Sequence, residues 1–246
     1  MRRPITPIAR RRRIEAETAP PLPRTAVSGT LLAAVAPDSR KYALPSGSRG
    51  ASLTAMAHPA PAASRCTSEE FFELVARGVL APDDRVELLE GVIVAMAPQN
   101  PRHATGVHMV HDAVSRAVGT RALVRQQFPL IVGLLSVPEP DVAVVPGSVS
   151  DYLDRHPTTA LLVVEVADSS IVQDRLTKTA IYAAAGVPEY WVVDLVGDRV
   201  EVHRSPIPAE RRYAETSVAL RGGRLDLVAL PGASVAVDDL LPSREG

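Results

Sequence analysis

Two acids in this 246-residue chain stand where an unpaired charge would be costly. Asp141 opens the run Pro140-Asp-Val-Ala-Val-Val145, and Glu165 sits inside Leu161-Leu-Val-Val-Glu-Val-Ala167. Both runs are nearly continuous Val, Leu and Ala, the composition of strands covered on both faces. If the two strands are sheet neighbours, the carboxylates converge at one edge, where a divalent cation would satisfy them. Magnesium needs one or two carboxylates, with waters and phosphate oxygens completing its shell. Such an ion polarises a phosphate and lowers the pKa of an attacking water. Lys178, in the helical stretch that follows, would reach back over the strand end to orient water or balance charge on a phosphoryl group. Spacing alone leaves a second possibility open, in which the three residues are caps and surface salt bridges.

The elements that must position these groups are legible as periodicities and stops. Thr67 and Glu70 make a capping-box pattern, Phe71, Leu74 and Val75 an apolar face, and Gly78 a helix stop. Residues 85–96 predict a hairpin turning at Glu90-Gly91. Over 103–118, Val107, Val110, Val114, Ala117 and Val118 recur at helical spacing up to Gly119. Strands are expected over 123–135, 141–145 and 160–166, the last two at the centre of the sheet. Asp168, Ser169 and Ser170 offer caps for a helix over 174–185, which Gly186 and Pro188 close. Two strands, 190–195 and 199–203, join at Gly197-Asp198, and the tail over 213–240 is expected to add edge strands. Alternating strands and helices of this kind predict an α/β fold. Tyr190 and Trp191 are expected in its core rather than as base-stacking platforms.

Composition sets the outer bounds. A hydrophobic content of 46% suits a chain that buries one substantial core. Residues 1–62, rich in Arg, Pro, Ala and Ser and containing Arg10-Arg11-Arg12-Arg13, are expected as a disordered basic extension, and 63–246 as the folded domain. Within it, Met56 is an alternative start. The weakly apolar stretch 26–36 does not predict a signal peptide, because Glu15, Glu17 and several prolines interrupt the pattern. Residues 1–55 carry ten Arg or Lys against Glu15, Glu17 and Asp38, a net +7, which leaves the remainder at 17 basic and 25 acidic residues, a net −8. That is not the footprint of a protein gripping long duplex DNA through a broad basic face. The single Cys66 excludes an internal disulfide and a thiolate zinc site and favours a cytoplasmic, reducing setting. No stretch reaches the length of a membrane span. His103, His108 and His111 are spaced so that three imidazoles do not share one helix face, which argues against zinc.

An ordered set of motifs goes further than spacing. Val86-Glu-Leu-Leu-Glu-Gly91, Pro98-Gln-Asn-Pro-Arg-His103, the Asp141 and Glu165 runs, Asp174-Arg-Leu-Thr-Lys178 and Tyr182-Ala-Ala-Ala-Gly-Val-Pro-Glu-Tyr-Trp191 together resemble the Uma2 family of bacterial proteins. That family belongs to the restriction-endonuclease-like PD-(D/E)xK superfamily. The resemblance covers residues 65–240, and Gly186-Val-Pro-Glu-Tyr-Trp191 is its most specific element. It implies an α/β core with a central mixed sheet flanked by helices, and a magnesium-dependent phosphodiesterase ancestry; the expected activity is an endonuclease dependent on Mg²⁺ or Mn²⁺ acting on DNA, and the expected assembly a homodimer. Carried over by position, Asp141 and Glu165 match the metal-binding acids and the Val166 carbonyl the third ligand. Glu87 matches an acid of the first hairpin, and His103 the histidine opening the second helix. One position departs: two residues after the second acid, where the superfamily has lysine, stands Ala167, and the resemblance implies that Lys178 supplies the ammonium instead. Ala167 and the −8 charge keep open a binding protein that inherited the fold without turnover. An acid/base hydrolase acting on something other than nucleic acid is a third possibility.

Overall fold

Thr67 caps the first helix, α1 (Ser68–Ala76), in this computed structural model, which describes residues 65–81, 83–168 and 172–243. The Thr67 hydroxyl accepts from the Glu70 N–H, and the Glu70 carboxylate accepts from the Thr67 N–H, the reciprocal bonds of a capping box. Phe71 is buried but Val75 is exposed, so the inward stripe of α1 is narrower than its spacing suggests. The expected hairpin follows as β1 (Val86–Leu89) and β2 (Val92–Ala95), with Glu90 and Gly91 both at positive φ, 52° and 81°. Such a two-residue turn matches the twist of the strands it joins. The extension 1–62, with Arg10–Arg13, and the cap candidates Ser169 and Ser170 lie outside the described residues.

The second helix, α2 (Pro101–Val118), begins two residues earlier than the apolar spacing predicts. Asn100 is its cap and Pro101 fits the first turn, where a missing N–H is harmless. After it, β3 (Leu123–Gln126) is far shorter than the strand expected over 123–135. Gln127 turns into the left-handed region at φ 52°, and Pro129 has no N–H with which to continue a ladder. The remaining apolar residues instead fold into a loop, closed by Leu130 N–H to Pro138 O and Val132 N–H to Ser136 O. A Val137–Leu88 bridge ties that loop to β1.

The Val-rich runs form β4 (Val142–Val145) and β5 (Leu162–Ala167), and α3 (Val172–Ala184) leads from β5 to β6 (Glu189–Asp194). Next come β7 (Arg199–Ile207) and β8 (Arg212–Leu220), then a separate antiparallel pair, β9 (Arg224–Asp226) and β10 (Ser234–Ala236). The six-stranded sheet runs β3-β4-β5-β6-β7-β8, antiparallel except for β5 and β6, which α3 connects. It is thus a mixed sheet flanked by helices, as expected. Of the tail, β8 is an edge strand, while β9 and β10 pair apart from the sheet.

Each face of the sheet has its own core. Val107, Val110 and Val114 of α2 pack with Val142, Val144, Val164 and Trp191, and Leu225, Val235 and Leu240 of the tail extend this layer. Gly106 lets α2 come close to the strand ends, since a Cβ there would stand 3.0 Å from Val166 Cγ1 and 3.1 Å from Leu195 Cδ1. On the other face, Ile181, Tyr182 and Ala183 of α3 pack with Val145, Val163, Tyr190 and Val192. Trp191 and Tyr190 are core residues, 0% and 1% exposed. Among the described residues, no helix is long and apolar enough to cross a membrane.

Candidate active site

Strand register brings the two acids together. β4 and β5 pair with Val142 opposite Val164, so one step further Asp141 faces Glu165 at the sheet end. Asp141 Oδ2 accepts from the Val166 N–H at 2.8 Å and lies 3.3 Å from His103 Nε2, while Oδ1 accepts from Gln127 Nε2 at 3.0 Å. Burial pushes the Asp141 carboxyl up, but the His103, Val166 and Gln127 bonds outweigh it and hold the group below the ordinary carboxylate range.

Glu165 titrates the opposite way. Burial, with Asp141 and Glu87 adding to it, pushes its carboxyl up to about 7, against the pull of Lys178 and Tyr182. Lys178 Nζ lies 3.3 Å from Glu165 Oε1, and the Tyr182 hydroxyl donates to the same oxygen at 2.8 Å. Lys178 Nζ is also 3.3 Å from Glu87 Oε2. The lysine is only 7% exposed and bridges two carboxylates from separate parts of the chain. Glu87 is 5% exposed, so it is not the exposed strand residue that a β-hairpin by itself would suggest. Its Oε2 also accepts from the Glu139 N–H at 3.3 Å. Burial, then Glu87, raises the Glu139 carboxyl above its ordinary value.

His103 is the third residue of α2 rather than its first, and the Asn100 side chain accepts from its N–H at 2.9 Å. The Asp141 bond raises the imidazole above its ordinary value, with burial opposing. Its Nδ1 is buried and has no partner among the described residues. Asn100 Nδ2 in turn donates to Asp168 at 2.7 Å, which links the cap of α2 to the end of β5. His108 and His111 stand apart from the cluster and pair with Asp112.

A cavity of about 430 Å³ is lined by Glu87, His103, Asp141, Glu165 and Lys178, with Met96 and Pro98 among its apolar lining. Ala167, in the usual lysine position, also lines it and brings no charge. Asp141, Glu165, Lys178, Glu87 and His103 are therefore brought together; Gln127, Glu139, Asn100 and Tyr182 join them unannounced. Tyr182 stands four residues after Lys178, a spacing that shares a helix face, and Asn100 before Pro101 has a cap signature. Nothing in the sequence pattern marks Gln127.

The donor set suits a hard cation. Asp141, Glu165 and the Val166 carbonyl would offer oxygen ligands, the preference of Mg²⁺ and Mn²⁺. Among the described residues no three His, Cys, Asp or Glu side chains are grouped to hold a metal by themselves.

The fold is thus an α/β core in which a mixed sheet, with helices on both sides, sets Asp141 opposite Glu165 at the end of its antiparallel β4–β5 pair. The chain belongs to the Uma2 family, described as "Putative restriction endonuclease", whose profile matches residues 68–238. A crystal structure from Anabaena variabilis, of "a putative nuclease belonging to DUF820", is similar in fold, with a TM-score of 0.55 at 17% identity. The similarity covers 71% of this chain and 96% of that one. No curated protein matches the sequence.

Proposed function

We propose that this protein is an endonuclease dependent on Mg²⁺ or Mn²⁺ that hydrolyses phosphodiester bonds of DNA. The observation that carries this reading is Asp141 facing Glu165 at the end of two buried strands, with the 7%-exposed Lys178 beside them. Asp141, Glu165 and the Val166 carbonyl would hold the ion, which when bound polarises a phosphate oxygen and makes a bound water more acidic. Lys178, beside the acids, would balance charge developing on the phosphoryl group. Glu87 holds that ammonium from its other side. His103, whose bond to Asp141 raises its imidazole above the ordinary value, is placed to pass a proton to a phosphate or leaving oxygen. A homodimer, which would present two such sites to two strands, belongs to the same proposal and is checked by the mass in solution.

The test is cleavage of DNA with and without Mg²⁺ or Mn²⁺. Asp141→Asn and Glu165→Gln are each expected to lower metal-stimulated cleavage at least about a hundred-fold while the fold is retained. Wild-type rates in both variants would remove the assignment. A second reading, a nuclease-fold binding protein without turnover, draws on Ala167 in the lysine position and on the −8 charge of residues 56–246. Metal binding without any cleavage of single- or double-stranded DNA would favour it.

A further inference from the structure

Glu189 and Glu165 are bonded in different ways. Glu189 is 0% exposed and uses both oxygens: Oε1 accepts from Trp191 Nε1 at 2.9 Å and Arg204 Nε at 2.7 Å, and Oε2 from the Val228 N–H at 3.0 Å. That is a carboxylate consumed by structure. Glu165 lines the cavity, and both of its contacts, Lys178 and Tyr182, fall on Oε1. Among the described residues nothing bonds Oε2. Tyr182 is itself 0% exposed, so its hydroxyl needs a partner, and phenylalanine would fill the same space without that demand. A tyrosine and a carboxylate buried together are not the most stabilising choice for a core.

We infer that Tyr182 is a positioning residue for Glu165: together with Lys178, one turn before it on α3, it fixes Oε1 and presents Oε2 to a divalent cation. This inference rests on the metal-dependent reading above. Because α3 packs its Ile181, Tyr182 and Ala183 into the core, the hydroxyl is held by a rigid element. A carboxylate with one oxygen fixed keeps the lone pairs of the other pre-oriented, as partners behind metal ligands commonly do.

The experiment is calorimetric titration of the full chain with Mn²⁺, comparing wild type, Tyr182→Phe and Tyr213→Phe. Tyr213 is a matched control, since its buried hydroxyl donates to the Val187 carbonyl at 3.0 Å and its ring packs on Tyr190, as that of Tyr182 does. Tyr182→Phe is expected to weaken Mn²⁺ binding about ten-fold or more, and Tyr213→Phe to stay within about two-fold of wild type. Tyr182→Met, which also lacks the hydroxyl, is expected to show the same loss. Wild-type affinity in either folded Tyr182 variant overturns the inference, as does an equal loss in Tyr182→Phe and Tyr213→Phe. Absence of Mn²⁺ binding by the wild type overturns the metal-dependent reading and this inference with it, which separates the two failures.

Discussion

Asp141 and Glu165 face each other across one register step, yet their environments drive them apart. Asp141 receives three donors, whereas Glu165 stands beside the Asp141 and Glu87 charges with its contacts on one oxygen. The consequence is a pH-dependent stability whose sign is fixed. The folded-state value of Glu165, about 7, lies above its ordinary 4.5, so its contribution is full below the ordinary value and is lost as pH rises through 7. His103, raised above 6.5, acts in the same direction, its contribution being lost as pH rises through its folded value. Asp141, lowered below 3.8, acts in a separate acidic window, where its contribution disappears as pH falls. Without metal, the melting midpoint is therefore expected to fall by at least about 3 °C from pH about 5 to about 8. Glu165→Gln should flatten most of that slope in a thermal-melt series, and an unchanged slope would contradict the assignment. At this scale the sequence reveals the acids and Lys178 through their runs, and Glu87 and His103 through family pattern. Gln127 and Asn100 reach partners 14 and 68 residues away by contacts that no periodicity encodes.

At the scale of elements, the most family-specific motif, residues 186–191, serves the junction after α3, and of its residues Tyr190 also lines the cavity. Gly186 ends α3 at φ 70°, and Glu189 joins Trp191, Arg204 and the Val228 N–H. The Glu189 bonds tie the α3–β6 junction to β7 and the tail, which holds α3, and so Lys178 and Tyr182, over β5. Glu189→Gln leaves Arg204 and the buried donors imperfectly matched and should destabilise the domain by about 3 kcal/mol, measured by urea unfolding. A loss below about 1 kcal/mol would show that packing alone secures the junction. Strands and helices with long unbroken runs were legible from the sequence, as β4, β5 and α3 illustrate. The 123–135 run was not, because its hydrophobicity serves a loop packed under the first hairpin, and a buried loop and a buried strand share the same apolar composition.

Over the whole molecule, charge and architecture limit how DNA would be held. Residues 56–246 carry −8, so long-range attraction to a phosphate backbone is not the means of recognition. The cavity is itself lined by Glu87, Glu139, Asp141, Glu165 and Asp168 against Arg85, His103 and Lys178, so a bound ion would supply the positive charge that meets a phosphate. Two helix layers fix that cavity from opposite sides: α2 brings His103 and α3 brings Lys178 and Tyr182, with the β4–β5 register between them. The central claim, that this arrangement holds a divalent cation, is tested most directly by anomalous diffraction from crystals of the protein soaked in Mn²⁺. A peak is expected within ligand distance, about 2.2 Å, of Asp141, Glu165 and the Val166 carbonyl oxygen. Saturating Mn²⁺ with no peak between those groups would contradict the claim.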